Sequence, residues 1–224
     1  MPFGVRDLLY GAVIQAAAAA GAALIVRRLL PDDPARRFAA AVGLAVGFLA
    51  GYGLQTLGPW IPASHWHWLP WLIVATAVVG PIANAPAIST VERLLLYACA
   101  ATVAAWLLVP HWEDLDPPRR WYLIACGAFI AATAGLLEPL ARRQTGLVLS
   151  GVLSLSLACG AIVLALSESL RFAAILVAGF GAMSGVFAAG CFRKTLPLSG
   201  LALPFAVLLC GMMLIGRVNS FSDV

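Results

Sequence analysis

The stretch from Arg27 to Arg37 reads Arg-Arg-Leu-Leu-Pro-Asp-Asp-Pro-Ala-Arg-Arg, and it lies between two apolar runs, residues 8–26 and 38–54. Arginine resists transfer across a bilayer, so short loops rich in arginine stay on the cytoplasmic side of a membrane. The prolines in the stretch also disfavour a continuous helix through it. We therefore interpret it as a cytoplasmic turn between two membrane-spanning helices, and the other segments are placed relative to it.

The composition is that of a chain dissolved largely in lipid. Of its 224 residues 62% are hydrophobic and 11% are charged, and its mean hydropathy is +0.95. A soluble domain carries about 25% charged residues, so we expect the lipid bilayer to be a partner of this chain. Because a backbone in lipid must satisfy its own hydrogen bonds, the sequence predicts an all-α polytopic transmembrane bundle. We expect a single integral membrane domain over residues 1–224.

Eight segments approach the roughly 20 mainly apolar residues that a spanning helix needs. Pro81 lies inside the third of them and Pro86 just beyond it, so the chain could turn back there without crossing, and a bundle of seven spans is the alternative. The first and fifth segments each end in an Arg-Arg pair, which favours a weak 4+4 internal repeat dividing near residue 116, unless cytoplasmic loops simply share arginines. The segments cover about residues 7–26, 37–54, 69–85, 91–109, 120–140, 145–166, 170–192 and 196–215.

The basic residues predict the orientation of the bundle. With eight spans and the Arg27–Arg37 stretch inside, nine of the fourteen lysines and arginines fall inside and five fall outside. This count predicts that both termini lie outside, and the short loops are typical of a bacterial-type cytoplasmic (inner) membrane protein. The Arg-Arg pair after the first apolar run favours a retained helix over a cleaved signal peptide. The basic residues form pairs rather than one continuous face, so the net charge of +4 indicates no nucleic-acid partner.

Small residues recur every four positions in three of the segments. Lipid tails are as apolar as leucine, so membrane helices associate through close packing of small side chains rather than through hydrophobic burial. We interpret these stripes as helix-packing surfaces, and a homo-oligomer or a complex with partner membrane proteins would be a further use of one of them. The stripes are Gly43, Gly47 and Gly51; Gly146, Ser150 and Ser154; and Gly181 and Gly185.

All three histidines fall in predicted outside loops. In an extended segment, residues two apart point the same way, so His65 and His67 would present two imidazoles together. With His111 and a carboxylate from Glu113 or Asp114, they would form a set of nitrogen and oxygen ligands for Zn²⁺ or Cu²⁺. The alternative is an interfacial belt, because these loops are rich in tryptophan. The five cysteines lie inside apolar runs without a Cys-x-x-Cys pair, so we expect neither a disulfide framework nor a zinc knuckle. The cofactor is unknown, and the sequence requires none.

Four polar or helix-breaking residues in the apolar segments are candidates for a transport path. Glu138 is the acidic residue best placed inside a span, although Arg142 follows at the spacing of a helical ion pair. Pro81 and Asn84 lie in a Gly-Pro-Ile-Ala-Asn-Ala-Pro stretch that would either unwind to line a path or simply end a helix. Gln15, in the first segment, is the remaining candidate.

The sequence leaves three functions open. The number of spans and the broken third segment favour a small permease or channel-like protein, and the scarcity of buried charge favours an uncharged or weakly charged solute. The first alternative is a non-catalytic membrane subunit or scaffold that packs against partners. The second is a membrane enzyme or metal-handling protein that uses the outside histidine and carboxylate loops. No Gly-rich phosphate loop or Ser-His-Asp grouping is present, which favours a function other than catalysis.

Overall fold

The computed structural model describes residues 5–30, 36–112, 115–143, 147–167, 169–192 and 196–219, with side chains from Ala12 onward. These ranges contain eight α-helices and no strand, and a 3-10 helix over His65–Trp68 leads directly into the third α-helix. The helices are α1 (Val5–Leu29), α2 (Phe38–Leu54), α3 (Leu69–Ala83), α4 (Thr90–Leu108), α5 (Arg119–Arg143), α6 (Leu147–Leu166), α7 (Leu170–Phe192) and α8 (Ala202–Asn219).

Seven of these helices are long and apolar enough to cross a membrane, α3 being counted with its 3-10 helix. The remaining helix, α2, is shorter. It has 17 residues, or a length of about 26 Å at 1.5 Å per residue. It nevertheless joins the same two ends of the bundle as its neighbours, because Arg37 before it contacts Asn84 at the end of α3, whereas Gly58 after it packs on Trp66. The chain is therefore an integral membrane protein with a helical bundle, as the composition predicts.

Three helices, α1, α2 and α7, pack so closely that only small residues fit between their backbones. A methyl group added at Gly47 of α2 would lie 2.6 Å from the Cβ of Ala19 in α1 and 2.9 Å from the Cβ of Ala182 in α7. Gly43, Gly51, Gly181 and Gly185 lie in the same three-helix contact. On α6, Ser154 hydrogen-bonds Ser184 of α7 at 2.8 Å, and Ser150 Oγ donates to Leu147 O at 3.2 Å. Gly146 lies outside the described residues.

The last predicted span is wrong in its first part. The sequence predicts a helix from residue 196, but residues 196–201 are irregular and α8 begins only at Ala202. Pro197 and Gly200 explain the difference, because proline cannot continue a helix from a preceding turn and Gly200 has a left-handed φ of +86°. The segment is buried all the same, since Leu196, Leu198 and Leu201 are at most 2% exposed.

Candidate functional site: an arginine-lined cavity

A cavity of about 550 Å³ opens at one end of the bundle, between the ends of α3 and α5, the start of α4 and the segment 196–201. Its polar wall consists of Asn84, Ser199 and four arginines, and no acidic residue lines it in the described part of the chain. The arginines are Arg37, Arg93, Arg142 and Arg143. An excess of guanidinium groups around an open cavity is suited to an oxyanion, because each group offers N–H donors in a planar fork.

The sequence around the start of α4 explains the position of Arg93. Ser89 and Glu92 form a capping box, with Ser89 N donating to Glu92 Oε2 at 2.7 Å and Glu92 N donating to Ser89 Oγ at 3.3 Å. Because the cap defines where α4 begins, Arg93 Nε reaches Ala83 O at 3.0 Å, at the end of α3. Arg93 therefore satisfies a carbonyl that the end of α3 would otherwise leave unpaired.

Arg37 has the same role from the other side of the cavity, since it donates to the backbone carbonyl of Asn84. A guanidinium carries five N–H donors. Arg37 uses one of them on Asn84, and Arg93 uses two nitrogens on Ala83 and Ile88. Both side chains line the cavity, so each retains donors for a bound ligand while it holds the end of α3.

Asn84 forms the centre of a buried polar network behind the cavity. Its side chain is 4% exposed, and its Nδ2 group donates to Gly80 O at 2.9 Å and to Tyr97 Oη at 2.8 Å. Its Oδ1 atom accepts from Arg142 Nε at 3.0 Å. Every polar atom of the amide therefore has a partner, and the amide connects α3 to both α4 and α5.

Glu138 of α5 completes this network. Its carboxylate is 2% exposed, and it accepts from Tyr97 Oη at 3.0 Å and from the Gly200 amide at 3.3 Å. Arg142 Nε lies 3.6 Å from Glu138 Oε1. The tyrosine has one proton to donate and already accepts from Asn84, so that proton points at Glu138. Arg142, Asn84, Tyr97 and Glu138 thus form a closed ring that stabilises a carboxylate away from water.

The segment 196–201 places Gly200 against this ring. A methyl group added at Gly80 of α3 would collide with the carbonyl oxygen of Gly200, and one added at Gly200 would lie 2.6 Å from Pro81 N. The two backbones therefore cross where only glycine fits on both sides. This crossing brings the Gly200 amide within reach of Glu138.

The structure brings together three of the four residues predicted for a transport path. Asn84, Pro81 and Glu138 lie around the crossing of α3 with the segment 196–201. Gln15 does not join them, because it is fully buried between Gly51 of α2 and Gly181 of α7. Neither atom of its amide has a hydrogen-bond partner among the described residues. A path through all four residues stays a prediction.

The predicted metal ligands lie towards the opposite end of the bundle. The extended conformation that would pair the imidazoles is not formed, because His65–Trp68 form a 3-10 helix in which residues two apart diverge. His67 Nδ1 accepts from the backbone amides of Ser64 at 3.0 Å and Ala63 at 3.1 Å. A neutral imidazole that accepts at Nδ1 carries its proton at Nε2, so neither nitrogen of His67 has a free lone pair for a metal.

The rings of the other two histidines, His65 and His111, pack against two different tryptophans. The His65 ring packs edge-on against Trp112 at 5.5 Å, and the His111 ring packs against Trp106 at 5.8 Å. Glu113 and Asp114 lie outside the described residues. Among the residues that are described, no group of three histidine, cysteine or acidic side chains could hold a metal ion. Binding of Zn²⁺ or Cu²⁺ by these loops stays a prediction, now without the paired imidazoles on which it was based.

Sequence reasoning missed Tyr97 and Gly200 altogether. Tyr97 lies in an apolar run, where an aromatic residue is unremarkable, and Gly200 lies in a segment that the hydropathy pattern assigns to a helix. Two available signals were the Ser89-x-x-Glu92 capping box and the Glu138–Arg142 spacing. Both are local, so neither predicts that Asn84 lies between them.

No protein-family model, curated protein or solved structure matches this chain. Its class therefore rests on the fold and the site described above. It is a helical integral membrane protein with an arginine-lined cavity at one end of the bundle.

Proposed function

We propose that this protein is a small permease that takes an oxyanion, a phosphate, sulfate or carboxylate group, into the arginine-lined cavity. The observation that carries the proposal is the convergence of Arg37, Arg93, Arg142 and Arg143 on one open cavity. The proposal revises the expectation of an uncharged or weakly charged solute. That expectation treated the arginines as separate orientation signals, whereas four of them share one site.

The interrupted backbone around the cavity supports transport over a purely structural role. Pro81 lies inside α3, Pro139 lies inside α5, and the segment before α8 is irregular although buried. Broken helices next to a polar site are a recurring feature of transporters, because irregular backbone in a membrane needs protein or water partners. Here the Gly200 amide finds its partner in Glu138.

The cavity faces the cytoplasm in this proposal, in a bacterial-type inner membrane with both termini outside. The positive-inside rule supports this orientation, because four of the nine basic residues predicted inside line the cavity. A fusion of alkaline phosphatase to the C-terminus checks it. Phosphatase activity outside the cytoplasm is expected, and an inactive fusion of normal abundance would contradict the orientation.

The binding experiment uses the full chain in nanodiscs of neutral phosphatidylcholine, with sulfate and acetate as probes in calorimetry. Saturable binding of either probe is expected, and Arg143→Gln should weaken it about tenfold, because a charge-assisted hydrogen bond is lost. Arg120→Gln is the matched control, since Arg120 is exposed at the other end of the bundle beside the Trp121 ring. Equal affinity in the two variants would count against the cavity as the site.

Two further arms separate the sources of the oxyanion. Protein in nanodiscs that contain phosphatidylglycerol tests a lipid headgroup, and loss of sulfate binding there would indicate that lipid competes for the same arginines. Uptake of labelled sulfate or acetate into neutral proteoliposomes tests transport itself. Binding without uptake, in either direction of the gradient, would overturn the permease and favour a binding subunit.

A further inference from the structure

We propose that Glu138 is a proton-binding site coupled to the anion, so that each anion bound in the cavity brings one proton onto the Glu138 carboxylate. The inference rests on the proposed function and assigns it a co-substrate. The structural basis is the position of Arg142, which belongs to two environments at once. Its side chain is 37% exposed and lines the cavity, while its Nε atom faces the buried ring.

The Arg142 guanidinium faces two acceptor oxygens in this arrangement, and it holds Asn84 Oδ1 through both Nε and Nη2. Arg142 Nε lies 3.0 Å from Asn84 Oδ1 and 3.6 Å from Glu138 Oε1. The second distance exceeds the 2.7–2.9 Å of a charge-assisted hydrogen bond, so the carboxylate is held only loosely. An oxyanion in the cavity offers the same guanidinium a charged acceptor. The side chain needs only to turn outward to reach it, because part of it is already exposed.

Withdrawal of Arg142 leaves Glu138 without a cation. Asn84 from α3, Tyr97 from α4 and the Gly200 amide from the segment 196–201 face the carboxylate, and none of them carries a positive charge. Arg37 and Arg93 are engaged with the carbonyls at the end of α3. Arg142 is the only cation that the described residues place within ion-pair distance of this carboxylate.

An unpaired carboxylate in a low-dielectric interior is costly, and the group takes up a proton instead. The geometry also provides a place for that proton. When Arg142 leaves, Glu138 Oε1 and Asn84 Oδ1 both lose the donor that they share. A proton bound to Glu138 Oε1 then replaces Arg142 as the donor between these two oxygens. The proton comes from the aqueous phase. One proton offsets one negative charge of the anion, so the net charge of the site does not change when acetate binds and falls by one when sulfate binds.

The same arrangement predicts the reverse coupling, because linkage between two binding events is reciprocal. A proton on Glu138 weakens its hold on Arg142 and releases the guanidinium to the cavity. Lower pH therefore strengthens anion binding. For one coupled proton the affinity rises by up to tenfold per unit of pH.

The test is calorimetric titration of sulfate into the full chain in neutral nanodiscs, in two buffers that differ in ionisation enthalpy. Sulfate does not titrate near neutral pH, so any proton uptake belongs to the protein. We expect about one proton taken up per sulfate in the wild type and none in Glu138→Gln, whose affinity should also be independent of pH. Asp116→Asn, an exposed carboxyl outside the cavity, is the control and should take up protons like the wild type.

The outcomes distinguish this inference from the proposed function. Absence of sulfate and acetate binding overturns both. Binding without proton uptake overturns the coupling alone, and so does proton uptake that persists in Glu138→Gln. If Glu138→Gln does not fold, Arg142→Gln is the second variant, because it removes the cation that moves. It should bind sulfate more weakly and without proton uptake, and uptake equal to that of the wild type would overturn the coupling.

Discussion

The two ends of the bundle use similar polar residues in different ways. At the tryptophan end, Arg119 donates to Pro110 O at 3.0 Å and lies over the Trp106 ring at 4.5 Å, so it joins the start of α5 to the adjacent end of α4. At the arginine end, Arg142 reaches Asn84, 58 residues away. The Arg119 contact is partly exposed and joins two neighbouring helix ends, whereas Arg142 belongs to a buried ring that joins α3, α4 and α5. A polar residue at the arginine end should therefore have the larger effect on the whole fold.

The largest expected effect comes from Gly200→Ala. An added Cβ would lie 2.6 Å from Pro81 N and 2.7 Å from Pro81 Cα, and the φ of +86° is unfavourable for alanine. Strain and overlap together should lower the free energy of unfolding by about 3 kcal/mol. Thermal unfolding of the purified chain in detergent measures it. Gly21→Ala is the control, because an added Cβ there meets nothing within 4 Å, and equal midpoints in the two variants would refute the close crossing.

Tyr97→Phe should have a smaller effect, about 1–3 kcal/mol, because it leaves buried Asn84 and Glu138 each one hydrogen-bond partner short. Tyr122→Phe is the matched change at the tryptophan end, where the hydroxyl donates to Asp116 O in an exposed contact of 3.0 Å. We expect that variant to stay within about 0.5 kcal/mol of the wild type. The measurement is the thermal unfolding midpoint of the two variants in the same detergent. A larger loss of stability in Tyr122→Phe than in Tyr97→Phe would contradict the contrast between the two ends.

The smallest effect is expected from His67→Ala, which removes the acceptor at the start of the 3-10 helix. Loss of such a cap costs about 1 kcal/mol, and the damage should stay local to residues 63–68. His111→Ala is the control, since His111 is exposed. The zinc content of the same preparations distinguishes a capping role of His67 from a metal-binding role. About one Zn²⁺ per chain that is lost on replacing His65 and His67 together would place a metal site at the tryptophan end after all.

The extent of the helices was predictable, because hydropathy is a property of each segment by itself. Seven predicted spans agree with α1 to α7 within a few residues, and α7 agrees at both ends. The error at residue 196 arose because Leu196, Leu198 and Leu201 are as apolar as a helix would require. Hydropathy reports that a segment is buried, but it does not report whether the backbone in that segment is helical.

The candidate site was predictable only in fragments. The sequence indicates Asn84, Pro81 and Glu138 only one at a time, as polar or helix-breaking residues in an apolar context. Gln15 has the same signal, yet it packs between glycines of two other helices. What distinguishes these residues is their neighbours, and a sequence without its fold contains no information on contacts across 41 or 62 residues, such as those of Glu138 with Tyr97 and Gly200.

The sequence by itself determined that this is an integral membrane protein, where most of its helices lie along the chain and which loops are rich in basic residues. All three follow from the free energy of transferring individual side chains between water and lipid. Only the tertiary structure decided that four arginines, from α4, α5 and the residue before α2, line one cavity and that a buried carboxylate lies behind them. The physical reason is that charge in a membrane is stabilised by partners rather than by solvent, and partners are assigned by the packing of helices distant in sequence.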